Sequence, residues 1–486
     1  MFFLLKYDIN LVFRVYHSFS PHRNMNFIYR IKQIILLSGD AIAYAMAIII
    51  SLGLRQLAIP SITVIGLHVP LFLKLFVLWS IINYITGLYD LTRVGARDQY
   101  RRLVQAATMS LVISVVAFYL QGNSTVTPKT ILVLSIAIGY SLSALWRLFY
   151  SKILAISRLK TRIIFVGFDQ ESRELISMIE EAPEKGYKVV AIFDPTKTVK
   201  NSDIPGVEVY SSLAAIRPAI TTHKAHLVVT APSYKDDPEI VRELYELLFW
   251  PVRLTGFSTV YENITGQVPG SSYSDSWFIS NLVNLEHPAY EGVRRGFDYV
   301  AGIILGLALL VLFPLVALVI RLNSRGPIIF KQQRMGWRGQ QFFLYKFRTM
   351  YALSADGSAE VKGAEFAQHN DTRVTAVGKF LRQTRLDELP QVLNLLRGDI
   401  TLIGPRPERP EIVQKLEAVM PYYHLRLLVK PGITGWAAIN QHYAGSVSEA
   451  IQKLQYDLYY IKNRSILLDC AILLRTINVM IRMMGR

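Results

Sequence analysis

Cysteine is almost absent from this chain of 486 residues, since Cys470 is its only cysteine. One cysteine excludes an intrachain disulfide framework and a zinc site built from cysteine ligands. The nine histidines form no cluster with the spacing of zinc ligands. Charged residues are also scarce, at 18%, whereas hydrophobic residues make up 51% of the chain. This balance is too apolar for an ordinary soluble enzyme and indicates membrane segments.

Acidic residues are few relative to basic ones: 36 Asp and Glu stand against 53 Lys and Arg, which gives a formal net charge of +17. This excess favours anionic partners such as phosphorylated substrates and anionic lipid head groups. The arginines cluster beside apolar runs, and the sequence has no zinc-finger or basic heptad pattern, so we expect no nucleic-acid partner. It also lacks the Ser-His-Asp order, the HExxH motif and the Walker loop.

The N-terminal part of the chain contains four apolar runs, at residues 31–54, 66–88, 103–121 and 129–149. Each is near the roughly 20 residues that a spanning helix requires, so residues 31–150 are predicted to form four transmembrane helices. Basic residues concentrate before the first run, between the second and third, and after the fourth. The positive-inside rule therefore predicts that residues 1–30 and everything after the fourth helix are cytoplasmic. For Asp40, inside the first run, a packing role is favoured over transport.

Residues 160–285 have the sequence pattern of a separate α/β domain. The short β-branched runs TRIIFVGF, YKVVAIFD and HLVVTAP alternate with helical stretches, which predicts a Rossmann-like domain with a parallel sheet. The dinucleotide fingerprint GxGxxG is not present, because Asp169 and Ser172 stand where its second and third glycines would be. A structural or regulatory domain is therefore favoured, and a working dinucleotide site is the alternative.

Residues 290–325 contain a second kind of apolar segment. Its apolar part, Phe297–Leu322, is 26 residues long, which is enough to cross a bilayer. Pro314 lies in the middle, where it removes a backbone hydrogen bond. Arginines flank both ends, so the positive-inside rule does not indicate that either end lies outside the cytoplasm. Two predictions remain open on these grounds: a re-entrant helix broken at Pro314, and a kinked fifth span.

The stretch RLDELPQ, Arg385–Gln391, sets the adjacent acids Asp387 and Glu388 just before Pro390. This predicts a helix that begins near the proline and stops near Gly398. The helix N-terminus and the nearby arginines are expected to lower the pKa of both acids. An ionised aspartate can attack phosphorus or bind Mg²⁺. The alternative for a lone acidic pair is a capped helix with surface ion pairs.

Five motifs follow one another in the C-terminal part: KFRTM (Lys346–Met350), LRQTRLDELPQ (Leu381–Gln391), GPRPE (Gly404–Glu408), KPGITGW (Lys430–Trp436) and YDLYYIKNRS (Tyr456–Ser465). With them, the chain from about residue 290 resembles the monotopic phosphoglycosyl transferases. The whole chain resembles the polyisoprenyl-phosphate hexose-1-phosphate transferases, which are bacterial sugar transferases of the undecaprenyl-phosphate glucose or galactose phosphotransferase type. The resemblance implies a membrane α-helical bundle, a Rossmann-like cytoplasmic domain, and an α-rich catalytic domain at 326–486 with a re-entrant membrane helix.

The resemblance also implies a reaction. Asp387 attacks the β-phosphorus of a UDP-sugar and releases UMP, and undecaprenyl phosphate then takes the sugar phosphate from the aspartyl intermediate. Mg²⁺ is the implied cofactor, held by Asp387 and Glu388, while phosphate is bound by Arg406 with Lys346, Arg348 and Arg382. The product is the first lipid-linked intermediate of exopolysaccharide, capsule or O-antigen synthesis, made on the cytoplasmic face of the bacterial plasma membrane. One departure is Phe313, where the family often has serine before the proline.

Two other classes of protein compete with this reading. A non-enzymatic membrane sensor requires loss of the acidic pair or of the PRP arginine, and Asp387, Glu388 and Arg406 are all present. A transporter is disfavoured, because four short spans with one buried acid offer little for a solute path. The identity of the sugar and of the polysaccharide, the role of residues 160–285, and possible homo-oligomerisation stay open. Residues 351–370 are either a flap over the site or an ordinary loop, and the C-terminal helix is either interfacial or docked.

Overall fold

A computed structural model of the protein describes residues 25–89, 99–120, 129–154, 160–181, 186–196, 204, 206–234, 237–282, 288–352, 372–441 and 446–481. The chain forms two compact units, Met1–Gly256 and Phe257–Arg486. Most of the predicted N-terminal segment 1–30 and nearly all of the predicted flap at 351–370 lie outside the described residues.

The first unit begins with a helical bundle that covers the four predicted spans. Its helices are α1 (Met25–Gln56), α2 (Ile62–Ile85), α3 (Gln99–Leu120) and α4 (Lys129–Leu154). All four contribute to one apolar core, in which Tyr44, Trp79, Leu103 and Ile136 are buried. The side chains on the other faces, such as Leu73 and Leu145, are exposed and apolar, as in helices that face lipid.

The protein is a membrane protein by the length and composition of its helices. Among the described residues, four helical segments are long and apolar enough to cross a bilayer: Gln33–Gln56, Ile62–Ile85, Thr130–Tyr150 and Pro288–Asn323. The third predicted span corresponds to α3, which is not one of these four. The side chains at the end of α3 lie outside the described residues.

Asp40 is not an isolated charge in the bundle. Its carboxylate accepts hydrogen bonds from Arg147 through both oxygens, at 2.6 and 2.8 Å, and from the Ser143 hydroxyl at 2.7 Å. Asp40 and Arg147 are both fully buried. A buried charge is tolerated when a partner of opposite charge and further hydrogen bonds compensate it. This ion pair joins α1 to α4, which agrees with the predicted packing role.

The rest of the first unit is a parallel α/β domain, as predicted. Its sheet has the order β3-β2-β1-β4-β5 and every neighbouring pair of strands is parallel. The strands are β1 (Thr161–Val166), β2 (Tyr187–Phe193), β3 (Glu208–Tyr210), β4 (Leu227–Thr230) and β5 (Arg253–Gly256), and the helices are α5 (Gln170–Glu181), α6 (Ile216–His223) and α7 (Pro238–Glu246). Continuous apolar strands such as β1 are buried on both faces, which is typical of parallel sheets.

The turn after β1 shows why the glycine fingerprint is missing. The Asp169 carboxylate accepts hydrogen bonds from the amide and hydroxyl of Ser172 and from the amide and hydroxyl of Ser233. Burial alone would raise the pKa of Asp169, but these hydrogen bonds outweigh it and the pKa is lowered. A protein carboxylate therefore occupies the start of α5, where a dinucleotide would place its pyrophosphate. This agrees with the structural interpretation of the turn.

The α/β domain ends earlier than the predicted residue 285. The next two helices, α8 (Phe257–Thr265) and α9 (Asp275–Leu282), belong to the second unit. Phe278 and Leu282 are buried in the core of that unit beside Leu454 and Leu458. The sequence could not reveal this boundary, because an amphipathic helix looks the same whichever neighbouring core its apolar face packs against.

The second unit continues with the long helix α10 (Pro288–Asn323) and a hairpin of two antiparallel strands, in which Ile329 pairs with Phe347. The hairpin strands are β6 (Ile329–Met335) and β7 (Gln341–Phe347). The remaining elements are α11 (Ala376–Thr384), α12 (Val392–Arg397), β8 (Thr401–Ile403), α13 (Pro410–Val419), β9 (Gly432–Thr434), α14 (Trp436–Asn440), α15 (Val447–Lys462) and α16 (Ile466–Ile481). Short 3₁₀ helices at Gly270–Ser272, Trp337–Gly339, Leu386–Gln391 and Pro421–Leu428 complete the described part of it.

Two predictions about the second unit are refined. Pro314 lies inside the continuous helix α10 and does not separate two helices, because one missing amide removes a single hydrogen bond, which can bend a helix without ending it. The C-terminal helix α16 is docked on its own unit through one face. Ile472 is fully buried in the core, and the Thr476 hydroxyl lies 2.7 Å from that of Thr434. The opposite face exposes Leu467.

The packing of α9 predicts a stability effect. Phe278→Ala should destabilise the second unit by about 3 kcal/mol, because a buried aromatic ring is replaced by a cavity. The matched control is Ile279→Ala, since Ile279 is the next residue on the same helix and is 66% exposed. Urea unfolding in detergent, followed by limited proteolysis of the C-terminal unit, measures both variants. If Phe278→Ala and Ile279→Ala are equally sensitive to urea and to protease, the placement of α9 in this core is contradicted.

Candidate active site

The acidic pair lies on a tight turn between two helices. Helix α11 ends at Thr384, and Arg385 adopts a left-handed conformation with φ of 57°. The chain then makes the 3₁₀ helix Leu386–Gln391, which carries Asp387 and Glu388 and contains Pro390. Helix α12 follows directly and ends at Arg397, and the next residue, Gly398, caps it with a φ of 81° that suits glycine. The predicted helix stop near Gly398 is confirmed, and the acids lie in the turn before the α-helix.

Glu388 is held by two cations that come from other parts of the unit. The Lys346 ammonium, on strand β7, lies 3.0 Å from Oε1 of Glu388. The guanidinium of Arg406 donates to the same oxygen at 2.5 Å. The side chain of Glu388 is only 11% exposed, so these contacts are shielded from water and strengthened by the low local dielectric. Three distant segments of the chain therefore meet at one carboxylate oxygen.

Arg406 reaches Glu388 because two glycine-containing motifs pack backbone against backbone. Strands β8 and β9 are parallel neighbours, with Ile403 opposite Thr434. Just beyond them the Gly404 amide donates to Thr434 O at 2.8 Å, and a side chain at Gly404 or Gly432 would collide with the other strand's backbone. GPRPE and KPGITGW thus require these glycines for close approach.

The two acids have different electrostatic environments. Burial raises the pKa of Asp387, the adjacent Glu388 carboxylate also raises it, and the Lys346 charge opposes both effects. Burial would also raise the pKa of Glu388, but the Arg406 and Lys346 charges outweigh it and hold that pKa well below its usual range. We expect nearby cations to lower the pKa of both acids, which is right for Glu388 and wrong for Asp387. The reason is that Lys346 and Arg406 form their direct ion pairs with Glu388.

The other two predicted phosphate anchors differ in position. Arg382 lies near Asp387, and its positive charge opposes the rise in the pKa of Asp387. The Nε of Arg382 donates to the Thr349 hydroxyl at 2.9 Å. Arg348 is buried, and its guanidinium donates to the carbonyls of Ser324 and Arg325 at 2.7 Å. Arg348 therefore binds the end of α10 and is not directed at the acidic pair. Its role as a phosphate anchor has no support in this geometry.

The site offers two carboxylates for a cation. No group of three or more potential metal ligands occurs among the residues that the structure describes. Mg²⁺ commonly binds through one or two carboxylates and completes its shell with water and substrate phosphates. Both ion pairs of Glu388 use Oε1, so Oε2 lies outside these two contacts. The donor set of Asp387 and Glu388 therefore fits a magnesium ion of that kind.

A set of buried charges behind the PRP turn could not be recognised from the sequence. In the sequence Glu408 stands out only as part of the GPRPE motif, yet in the structure it pairs with Lys453, and Arg426 and Arg334 each lie 3.7 Å from its carboxylate. Arg426 also pairs with Asp457 at 2.8 Å, and both are 2% exposed. The one available signal was arginine inside the apolar stretch YYHLRLLV, where a charge is expected to have a buried partner.

Comparison with known proteins gives the site a context. Residues 289–483 match the family described as bacterial sugar transferase, and residues 84–255 match the family described as CoA-binding domain. The UDP-N-acetylgalactosamine-undecaprenyl-phosphate N-acetylgalactosaminephosphotransferase of Aeromonas hydrophila is 40% identical over 229 residues, which are 46% of this chain and 52% of that protein. The chain thus spans about half the length of this relative.

Two further relatives match over a larger share of their length. The undecaprenyl-phosphate galactose phosphotransferase of Salmonella typhimurium is 29% identical over 350 residues, 67% of this chain and 69% of that protein. The UDP-glucose:undecaprenyl-phosphate glucose-1-phosphate transferase of Caulobacter vibrioides is 39% identical over 186 residues, 38% of this chain and 68% of that protein. Because the family match contains every segment that builds the Asp387–Glu388 site, the chain belongs to the bacterial sugar transferase family.

Proposed function

We propose that this protein transfers a hexose-1-phosphate from a UDP-sugar to undecaprenyl phosphate and releases UMP. The observation that carries the proposal is the buried Asp387 beside Glu388, whose charge is balanced by Lys346 and Arg406. These residues lie in the part of the chain that matches a transferase family, and its relatives are named for the transfer of a sugar phosphate to undecaprenyl phosphate. The product would be the first lipid-linked intermediate of a bacterial surface polysaccharide.

In the first step the Asp387 carboxylate is the nucleophile. One of its oxygens forms a bond to the β-phosphorus of the UDP-sugar, the bond from that phosphorus to the bridging oxygen breaks, and the electron pair leaves with UMP. A raised pKa makes the carboxylate a stronger nucleophile, provided that it is ionised at the working pH. Lys346, Arg382 and Arg406 surround the pair with positive charge, which stabilises the negative charge of the transferred phosphoryl group.

In the second step a phosphate oxygen of undecaprenyl phosphate attacks the same phosphorus. The bond from phosphorus to Asp387 breaks and the carboxylate returns to its starting state. Glu388 stays ionised throughout, because its two cations hold its pKa low. Its function in both steps is to keep Lys346 and Arg406 at fixed positions beside the reacting phosphate.

Magnesium fits this chemistry without further protein ligands. Asp387 and Glu388 would hold the ion, and it would supply positive charge to the diphosphate of the donor. The protein's own contribution is the buried carboxylate pair and its three cations.

The attachment of α10 supports a re-entrant membrane helix. Near its start, Arg294 donates to Ile403 O, and Asp298 accepts from the Leu402 amide at 2.9 Å. Near its end, Val316 and Ile320 pack against Phe347 and Leu381. A straight helix of 36 residues would be about 54 Å long, so a helix with both ends on one unit is difficult to reconcile with ends on opposite sides of a bilayer of about 30 Å. The proposal places this unit on the cytoplasmic face of the bacterial plasma membrane, where nucleotide sugars are made.

The sugar is not defined by the residues of this site. The relatives are named for N-acetylgalactosamine, glucose and galactose, and all three donors share the diphosphate that the proposed chemistry requires. A screen of UDP-sugars with undecaprenyl phosphate and Mg²⁺, read as UMP release, would identify the donor.

Asp387→Asn should abolish UMP release, by at least about three orders of magnitude, because an amide cannot serve as the nucleophile. The unchanged protein, quenched with its donor before acceptor is added, should carry the mass of one sugar phosphate on the peptide that contains Asp387. The matched control is Asp399→Asn, since Asp399 accepts from Asn394 away from the acidic pair. Normal turnover by Asp387→Asn would remove this aspartate from the mechanism.

The proposed topology predicts the accessibility of both ends of α10. In a background in which the exposed Cys470 is replaced by serine, single cysteines at Arg295 and Arg325 should both react with an impermeant maleimide only from the cytoplasmic side. A cysteine at Ile59, which is 96% exposed between α1 and α2, should react only from the opposite side. Labelling of positions 295 and 325 from different sides would establish a fifth full crossing.

A further inference from the structure

The turn that carries Arg406 is fixed through its backbone carbonyls. The carbonyl of Pro405 accepts from the Gly432 amide at 2.9 Å, and that of Glu408 accepts from the Met335 amide at 2.8 Å. The two carbonyls between them accept from charged side chains: Arg426 binds Arg406 O at 2.9 Å, and Arg334 binds Pro407 O at 3.1 Å. Four consecutive carbonyls therefore have donors from four other positions in the unit.

The sequence of the turn explains why such outside donors are needed. Two of its residues, Pro405 and Pro407, are prolines, which have no backbone N–H. The turn therefore has few amides with which to fix itself, and its carbonyls are the groups that can be anchored. Arg406 lies between the two prolines, so the direction of its side chain follows from the position of this backbone.

The two anchoring arginines share Glu408 as a counter-charge, and Arg426 has a second one in Asp457. The Glu408 carboxylate lies 3.7 Å from both Arg426 and Arg334 and pairs with Lys453. Burial would raise the pKa of Glu408, but the charges of Lys453, Arg426 and Arg334 lower it to about 2. Glu408 is therefore the common partner of the side chains that hold the turn.

We propose that Glu408, Arg426 and Arg334 are positioning residues that set the distance from Arg406 to Glu388. The inference rests on the proposed function, in which Arg406 faces the transferred phosphate. None of the three is bonded to the acidic pair in the structure; they act through the backbone of residues 405–408. A turn with a displaced Arg406 would leave Lys346 as the remaining direct partner of Glu388, and misplacement by about 1 Å is enough to reduce turnover strongly.

Buried charges at these positions are better explained by geometry than by stability. Replacing a buried ion cluster with apolar side chains of similar volume is often neutral or stabilising. An apolar cluster, however, has no donors for the carbonyls of Arg406 and Pro407. The charged groups are required because they direct hydrogen bonds to two particular oxygens.

A double-mutant cycle tests the inference in the full-length protein. Glu408→Gln removes the counter-charge with little change in shape, and we expect kcat/KM for UMP release to fall by about tenfold. In an Arg406→Ala background, the same Glu408→Gln substitution should change kcat/KM by less than about twofold, because the residue that it positions is gone. The control is Glu262→Gln, which removes an ion pair with Lys462 in the same unit and should leave kcat/KM unchanged.

The possible outcomes distinguish failure of the positioning role from failure of the proposed function. If the unchanged protein releases UMP and Glu408→Gln lowers kcat/KM equally in the unchanged and Arg406→Ala backgrounds, the positioning role is overturned and the proposed function stays intact. If Glu408→Gln does not fold, as judged by thermal unfolding, Arg334→Lys replaces it in the cycle with the same expectation. If the unchanged protein releases no UMP from any UDP-sugar, the proposed function and this inference both fail.

Discussion

The whole site depends on one carboxylate oxygen. Oε1 of Glu388 receives both Lys346 and Arg406, and through them it joins the hairpin strand β7, the 3₁₀ turn and the PRP turn. Each of the three charges is partly or largely withdrawn from water, so each needs the other two. Removal of either cation would leave a buried carboxylate undercompensated, and removal of Glu388 would leave two cations repelling each other. The arrangement is therefore stable only as a set.

Strand β7 connects the acidic pair to helix α10. Lys346 and Arg348 are two residues apart near the end of β7, yet their side chains serve different partners. Lys346 binds Glu388, while Arg348 binds the carbonyls at the end of α10. At the other end of that helix, Asp298 and Arg294 bind the backbone of β8, directly before the turn of Arg406. The apolar helix is thus attached to β7, which carries Lys346, and to β8, which leads into the turn of Arg406, so the site has a fixed position relative to α10.

Much of this could be predicted from the sequence, but only where a local pattern has one structural solution. The parallel sheet, the acidic pair before Pro390 and the helix stop at Gly398 follow from periodicity and turn chemistry. Arg348 could not be told from Lys346, because a motif such as KFRTM does not show where the strand ends and which way the next side chain turns. The role of Glu408 depends on Lys453, Arg426 and Arg334, which are distant in sequence. Long-range charge partners are set by tertiary packing, and one sequence does not contain that information in a readable form.

The contrast between the two neighbouring acids is the last step in the physical explanation. Glu388 has its charge fixed by direct ion pairs, whereas the charge of Asp387 is disfavoured by burial and by Glu388 itself. Environments that push the pKa values of two adjacent acids apart assign them different roles. An acid whose charge is fully neutralised is a poor nucleophile, since its electron density is already committed to its partners. The charge of Asp387 is disfavoured by burial and by Glu388, so its electron density is less committed to ion pairs. The ion pairs of Glu388 are therefore the physical reason why the proposed nucleophile is Asp387 and not Glu388.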